Sequence, residues 1–125
     1  MTMPDGRPTT IATGSEHEEL ATSYLVRHGF RIVERNFKTK IGELDIIARE
    51  GDTLCFVEVR SRTGTGYGDA IEAVNATKQA RVTRMAKQYL WWRKPVFEYA
   101  RFDVVGITAG NVRLIRDAWR LVDRL

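Results

Sequence analysis

Gly42-Glu43-Leu44-Asp45-Ile46-Ile47-Ala48-Arg49 and Leu54-Cys55-Phe56-Val57-Glu58-Val59-Arg60 decide the reading of this chain. Both runs are rich in β-branched residues. Glu50-Gly51-Asp52-Thr53 between them is a turn signal, so the pair is predicted to form a β-hairpin. With the loop centred between Gly51 and Asp52, Asp45 falls opposite Glu58 and Glu43 opposite Arg60. Directly opposed residues hold their Cβ atoms roughly 4.5–5.5 Å apart, where two like charges repel. A divalent cation between them would turn that repulsion into ligation. Function is expected where an otherwise consistent pair of strands breaks a rule in this way.

The flanking sequence supplies the rest of the fold. Ser15 with Glu18 three residues on has capping-box spacing. Leu20, Ala21, Tyr24 and Leu25 form an apolar stripe that Gly29 can close, so a first helix is predicted over 16–28. A strand is predicted over 30–38, ahead of the hairpin. Val82, Met85, Ala86, Tyr89 and Leu90 recur at helical spacing. They predict a second helix from Asn75 to Trp91 or Trp92, stopped by Pro95. Two further strands are predicted over 99–107 and 112–119, around Ala109-Gly110-Asn111. The order is α-β-β-β-α-β-β, an α/β chain with a mixed five-stranded central sheet and helices on its faces. Residues 1–13 are rich in Pro, Gly and Thr and are expected to be disordered. Residues 61–67 read as a loop. Residues 14–125 are expected to form one domain.

Composition narrows the function classes. The 125 residues are 43% hydrophobic and 29% charged, ordinary for a globular protein. A lone cysteine, Cys55, excludes a disulfide framework and a thiolate zinc site. No stretch reaches the ~20 apolar residues of a membrane span. No signal-like apolar run opens the chain, so the expected location is the cytoplasm. The net charge of +4 permits nucleic-acid binding without demanding it. Its distribution says more: Lys78, Arg81, Arg84, Lys87, Arg93 and Lys94 all fall between Asn75 and Lys94, where there is no acidic residue.

Beyond the facing carboxylates, Glu18 sits at the edge of the inward stripe of the first helix. There it can cap the helix, serve as a third carboxylate, or do both. Lys78, four residues before Val82, lies on the apolar stripe of the second helix. It can snorkel outward or reach the sheet with its neighbour Arg81. Arg84 and Lys87 fall on the opposite side. Trp91-Trp92-Arg93-Lys94 reads either as a base-stacking and phosphate-holding corner or as core anchorage or an oligomer contact. His17 and His28 match no zinc spacing, and Gly64, Gly66 and Gly68 make no phosphate loop.

On these residues the chain resembles the YraN-type family of small bacterial proteins. The matching pieces are Glu18 with Ala21 and Leu25, Gly29, Asn36, Gly42–Ala48, Phe56–Arg60, Ala73-Val74 with Lys78 and Arg81, and Arg101–Val105. That family in turn resembles the PD-(D/E)xK, restriction-endonuclease-like superfamily, near the Holliday-junction resolvases. The resemblance implies an α/β/α sandwich with a nuclease core that uses Mg²⁺ or Mn²⁺. It implies Asp45 and Glu58 as metal ligands, with Glu18 as the acidic residue from the first helix. Arg60 stands where the motif has lysine, and this is a departure, because arginine is a poor base. Lys78 is the candidate for a displaced lysine.

The expectation is therefore a nucleic-acid-binding protein acting as a metal-dependent endonuclease on DNA or RNA, branched forms included. Asp45, Glu58, Arg60 and Lys78 would be catalytic, and Glu18, Asp45 and Glu58 would hold the metal. Arg60, Arg62, Lys78 and Arg81 would engage phosphates. No membrane partner is expected, and the resolvase likeness suggests a homodimer. Two alternatives stand beside it: a non-catalytic binding module of the same fold, which Arg60 favours, and an adaptor using Trp91, Trp92 and Trp119 as a contact surface.

Overall fold

A computed structural model describes residues 14–62 and 74–120. The elements are α1 (Gly14–Arg27), β1 (Arg31–Thr39), β2 (Gly42–Glu50), β3 (Thr53–Arg62), α2 (Ala76–Arg93), β4 (Tyr99–Thr108) and β5 (Asn111–Trp119). The strands form one sheet in the order β1-β2-β3-β4-β5. All neighbours are antiparallel except β3 and β4, which run parallel with α2 as their crossover. This is the α-β-β-β-α-β-β order and mixed sheet read from the sequence. Of the loop expected over 61–67, Ser61 and Arg62 instead extend β3 beside Ile107 and Thr108, and the rest lies outside the described residues. The segment expected to be disordered, 1–13, lies outside the described residues.

One helix covers each face of the sheet. Ala21 and Leu25 of α1 pack on Ile46, Ala48, Cys55, Val57, Val105 and Ile107. Val82, Met85, Ala86 and Tyr89 of α2 pack on Phe37, Leu44, Ile47, Leu54, Phe56 and Phe102. The alternation in β3 follows the pleat, with Leu54 and Phe56 on the α2 side and Cys55 and Val57 on the α1 side. Trp119 stacks on Phe102 at 4.8 Å and donates its indole N–H to Thr83. It belongs to the core, so it offers no contact surface alongside Trp91 and Trp92.

β1 carries a bulge between Ile32 and Glu34, and further along the alternation breaks in β1 and β2 together. Arg35 reaches α1, while Phe37, two residues on, packs under α2. Its neighbour in the sheet does the same: Ile46 lies in the α1 layer and Leu44 in the α2 layer. Residues two apart in a regular strand share a face, so both strands twist through an extra half-turn here. Asn36, with φ 55, is the residue that allows it. Asn tolerates the left-handed region better than other residues with a Cβ, because its short amide can bond locally. Level with Asn36, between the rungs Arg35↔Ile46 and Phe37↔Leu44, sits Asp45.

Candidate active site at the fork of the sheet

The β2–β3 ladder runs from Glu50↔Thr53 to Ile46↔Val57 and then stops. Beyond that rung β2 stays paired with β1 as far as Gly42, and β3 stays paired with β4 as far as Arg62. The sheet therefore forks. The register is the one the turn predicts, but the expected rungs Asp45/Glu58 and Glu43/Arg60 are not made. Glu43 instead faces Lys38 across β1, with a 3.5 Å ion pair. The fork has a local cause: Asp45 Oδ2 accepts the main-chain N–H of Val59 at 2.9 Å, standing in for a backbone carbonyl. That contact satisfies a donor the ladder leaves unpaired.

Both carboxylates converge there without a rung between them. Asp45 lies close enough to Glu58 for the charge of Glu58 to bear on its carboxyl. Glu58 is only 4% exposed and accepts from Arg60 Nη2 at 2.6 Å, with Lys78 Nζ at 3.4 Å. Burial, then the charge of Glu58, pushes the Asp45 carboxyl up to about 7, against the pull of the Val59 N–H. Burial likewise raises Glu58 above the usual carboxylate range, opposed by Arg60. Desolvation and a like charge both favour keeping one proton on such a pair. Beside it, Arg60 Nε is buried and has no hydrogen-bond partner.

Asp45 also lines a cavity of about 320 Å³ on the α1 side, with Glu18, Arg35, Asn36, Glu43, Val59 and Ser61 in its wall. Glu18 is buried and holds two partners across the layer, Arg35 Nε at 3.0 Å and Asn36 Nδ2 at 2.8 Å. Ser15 lies inside α1 rather than at its cap, because the helix is already formed at Gly14. The predicted capping box is therefore replaced by this bridge from α1 to β1. Among the described residues no three His, Cys, Asp or Glu side chains are grouped closely enough to hold a metal ion. Asp45 and Glu58 meet, and Glu18 shares a cavity with Asp45 while bonded to Arg35 and Asn36.

The basic residues divide. Lys78 reaches the sheet at Glu58, as its place on the apolar stripe allows. Its own N–H is capped by Asn75 Oδ1 at 3.0 Å, which starts α2. Arg81 does not follow it inward and is exposed, as is Arg62 at the end of β3. The Cys55 thiol is buried in the α1 layer and pushed up to about 12 by desolvation, so it is no nucleophile.

A family model described as "Uncharacterised protein family UPF0102" matches residues 17–107, from the helix that carries Glu18 through β4. The chain belongs to this family. The YraN-type resemblance read from its residues is the same family. Similar members include a UPF0102 protein of Rhodococcus opacus, 41% identical over 114 residues, 87% of this chain and 97% of that protein. One from Clostridium kluyveri is 40% identical over 115 residues, 86% and 93% of the two chains. A Geobacter metallireducens member is 45% identical over 95 residues, 76% and 78% of the two chains.

Two parts of this UPF0102 member were not assigned a role from the sequence. Asn36 and Arg35, which orient Glu18, carry no signal beyond an Asn inside a strand pattern. The other is on β4, where Asp103 pairs with Val57, the β3 residue of the last rung before the fork. There Asp103, 0% exposed, takes a bidentate pair from Arg101 at 2.8 and 3.1 Å and the main-chain N–H of Asp117 at 2.9 Å. Glu50 joins Arg101 to Arg116 and is lowered to about 2 by these arginines, Arg116 first. An Arg-x-Asp spacing in a buried strand is the signal: both side chains point to one face, and a buried charge needs a partner.

Proposed function

We propose that this protein is a metal-dependent phosphodiesterase acting on nucleic acid, with the PD-(D/E)xK type of site that its sequence resembles. The observation that carries the reading is the pair of raised carboxylates, half-buried Asp45 and buried Glu58, at the fork of the sheet. Two carboxylates held this near each other repel, and a positive ion shared by both would relieve that repulsion. The donors fit a hard divalent ion. Mg²⁺ and Mn²⁺ prefer oxygen ligands, and Mg²⁺ is commonly held by one or two carboxylates together with water and substrate phosphate.

Asp45 and Glu58 would hold the ion, which would polarise a phosphate oxygen and a water for hydrolysis. Glu18 would join only by leaving Arg35 and Asn36. In the metal-free geometry Arg60 and Lys78 hold Glu58 in place and balance its charge. Once the carboxylate is neutralised from its other side, both cations are freed to face a phosphate. Arg60 keeps its positive charge throughout, so it stabilises charge and moves no proton. Lys78, half-buried beside Glu58, is the lysine placed to contact a phosphate or its attacking water. The cavity beside Asp45 offers room for the phosphate and its flanking sugar.

The alternative is a binding module without turnover, and the observation favouring it is that Arg60, in the motif-lysine place, is paired to Glu58. One experiment separates the two. Single-stranded, duplex, flap and four-way-junction substrates, as DNA and as RNA, are incubated with Mg²⁺ or Mn²⁺ and the wild type or Asp45→Asn. Cleavage by the wild type alone is the expected result. No cleavage of any substrate, with binding retained, would leave the binding module.

A further inference from the structure

The two tryptophans at the end of α2 have separate environments. Trp92 turns toward the sheet edge and meets Phe37 edge-on, with centroids 5.9 Å apart. Trp91 turns away from the sheet and is 73% exposed, one face covered by Lys94, whose Nζ lies 5.4 Å from the ring centroid. Lys94 reaches that place because it caps the helix in the left-handed conformation, φ 46. An indole this exposed loses burial energy that an ordinary surface residue would not forfeit.

Trp91 does not stand alone. With Val82, Met85, Ala86 and Tyr89 directed into the core, a 100° step per residue puts Arg84, Lys87 and Trp91 on the opposite, outward side of α2, flanked by Arg81. All four are exposed. Arg81 and Arg84 have no ion pair among the described residues, and α2 contains no acidic residue. The stripe begins beside Lys78, which touches Glu58, and runs 13 residues to Trp91. At 1.5 Å per residue that is about 20 Å.

We infer that the outer face of α2 is a track for single-stranded nucleic acid, with the phosphate backbone along Arg81, Arg84 and Lys87 and an unpaired base stacked on Trp91. The inference deepens the nucleic-acid reading of the site and rests on it. Charge complementarity selects a polyanion. The aromatic end selects an unpaired base, since a duplex buries the faces an indole would need, while stacking accepts any base. Lys94 over the ring adds a cation beside the next phosphate. The track leads a strand toward Lys78 and the fork, so the substrate class is a junction between single-stranded and paired nucleic acid, with the free strand on α2.

The test measures binding of fluorescent dT₂₀ and of a blunt 20-base-pair duplex by anisotropy in EDTA, so that no cleavage intervenes. Trp91→Ala and Trp91→Leu should each weaken dT₂₀ binding about 5- to 100-fold, the range of one lost stacking contact, and leave the duplex unchanged. Trp91→Phe should keep most of the affinity. Arg81→Ala with Arg84→Ala should lower the slope of log affinity against log salt by about 1 to 2, which Trp91→Ala should not do. Wild-type dT₂₀ affinity in Trp91→Leu would overturn the inference, as would equal losses for dT₂₀ and duplex. Arg113→Ala, at an exposed arginine of β5 outside both α2 and the fork, is the control for lost positive charge: it should bind dT₂₀ like wild type. A protein that cleaves nothing yet depends on Trp91 for dT₂₀ loses the catalytic reading and keeps the track.

Discussion

The main-chain N–H of Val59 donates to Asp45 Oδ2 at 2.9 Å, just past Ile46↔Val57, the last rung between β2 and β3. One side chain thus both ends the ladder and enters the cavity wall. Asp45→Ala removes the acceptor and leaves that N–H without its partner, whereas Asp45→Asn keeps an oxygen there. We predict that Asp45→Ala is less stable than Asp45→Asn by about 1–3 kcal/mol, the cost of an unsatisfied buried donor. Urea unfolding of the two variants measures it. Equal midpoints and slopes would mean that the contact contributes nothing to the fork.

Metal binding should show in stability before it shows in activity. A ligand that binds only the folded state stabilises it by mass action. Mn²⁺ at millimolar concentration should raise the melting temperature of the wild type by several degrees and leave Asp45→Asn and Glu58→Gln where they were. If both variants respond as the wild type does, the ion binds elsewhere.

The raised Asp45 carboxyl gives the metal-free protein a pH dependence of definite sign. Asp45 titrates near 3.8 when unperturbed and near 7 in the fold. Between those values the folded state binds more protons than the unfolded one, so stability falls as pH rises through this window. Above about 7 the loss is complete. In EDTA, the wild type should therefore lose stability relative to Asp45→Asn between about pH 4 and 7. The difference is read from melts of both proteins in one buffer series. A difference that stays constant across the window would place Asp45 in an ordinary carboxylate environment.

Arg60 and Lys78 share Glu58 unequally, at 2.6 and 3.4 Å. Removing the nearer partner from a buried carboxylate should cost more, so Arg60→Ala should destabilise the protein more than Lys78→Ala. Activity should reverse the order. If Lys78 replaces the motif lysine, Lys78→Ala removes cleavage while nucleic-acid binding drops only modestly. If Lys78→Ala merely slows cleavage while Asp45→Ala and Glu58→Ala abolish it, the carboxylate site suffices to activate water. Arg60→Lys, which restores the motif, should retain or raise the rate.

On β4, beside Val57, Asp103→Ala would leave Arg101 with Glu50 alone and unpair the N–H of Asp117. Breaking one partner of a buried pair typically costs about 3–5 kcal/mol, enough to unfold a marginal domain. We expect little soluble, folded protein from this variant at 37 °C. Wild-type solubility and melting would show the network to be dispensable.

Much of the fold was legible along the chain, because its signals are local. Period-2 runs, a two-residue turn at Gly51-Asp52, the apolar spacing of Val82 to Leu90 and the stop before Pro95 each depend on neighbouring residues. They fixed the seven elements, the register of the hairpin and the choice of Asp45 and Glu58 as the pair of interest. Lys78 was legible from its place on the apolar stripe. Three things depended on residues distant in sequence. Glu18 reads along the chain as a cap, a third carboxylate or both, because Ser15 is three residues away and the apolar stripe lies beside it. Its actual partners, Arg35 and Asn36, lie on a strand brought beside it by packing. The expected rung between Asp45 and Glu58 is absent where Asp45 Oδ2 takes the Val59 N–H, level with Asn36, whose backbone conformation alternation rules do not contain. Trp91 and Trp92 are adjacent in sequence, yet one packs against Phe37 and the other faces outward. A helix turns by 100° per residue, so only the position of the sheet decides which of two neighbours is covered.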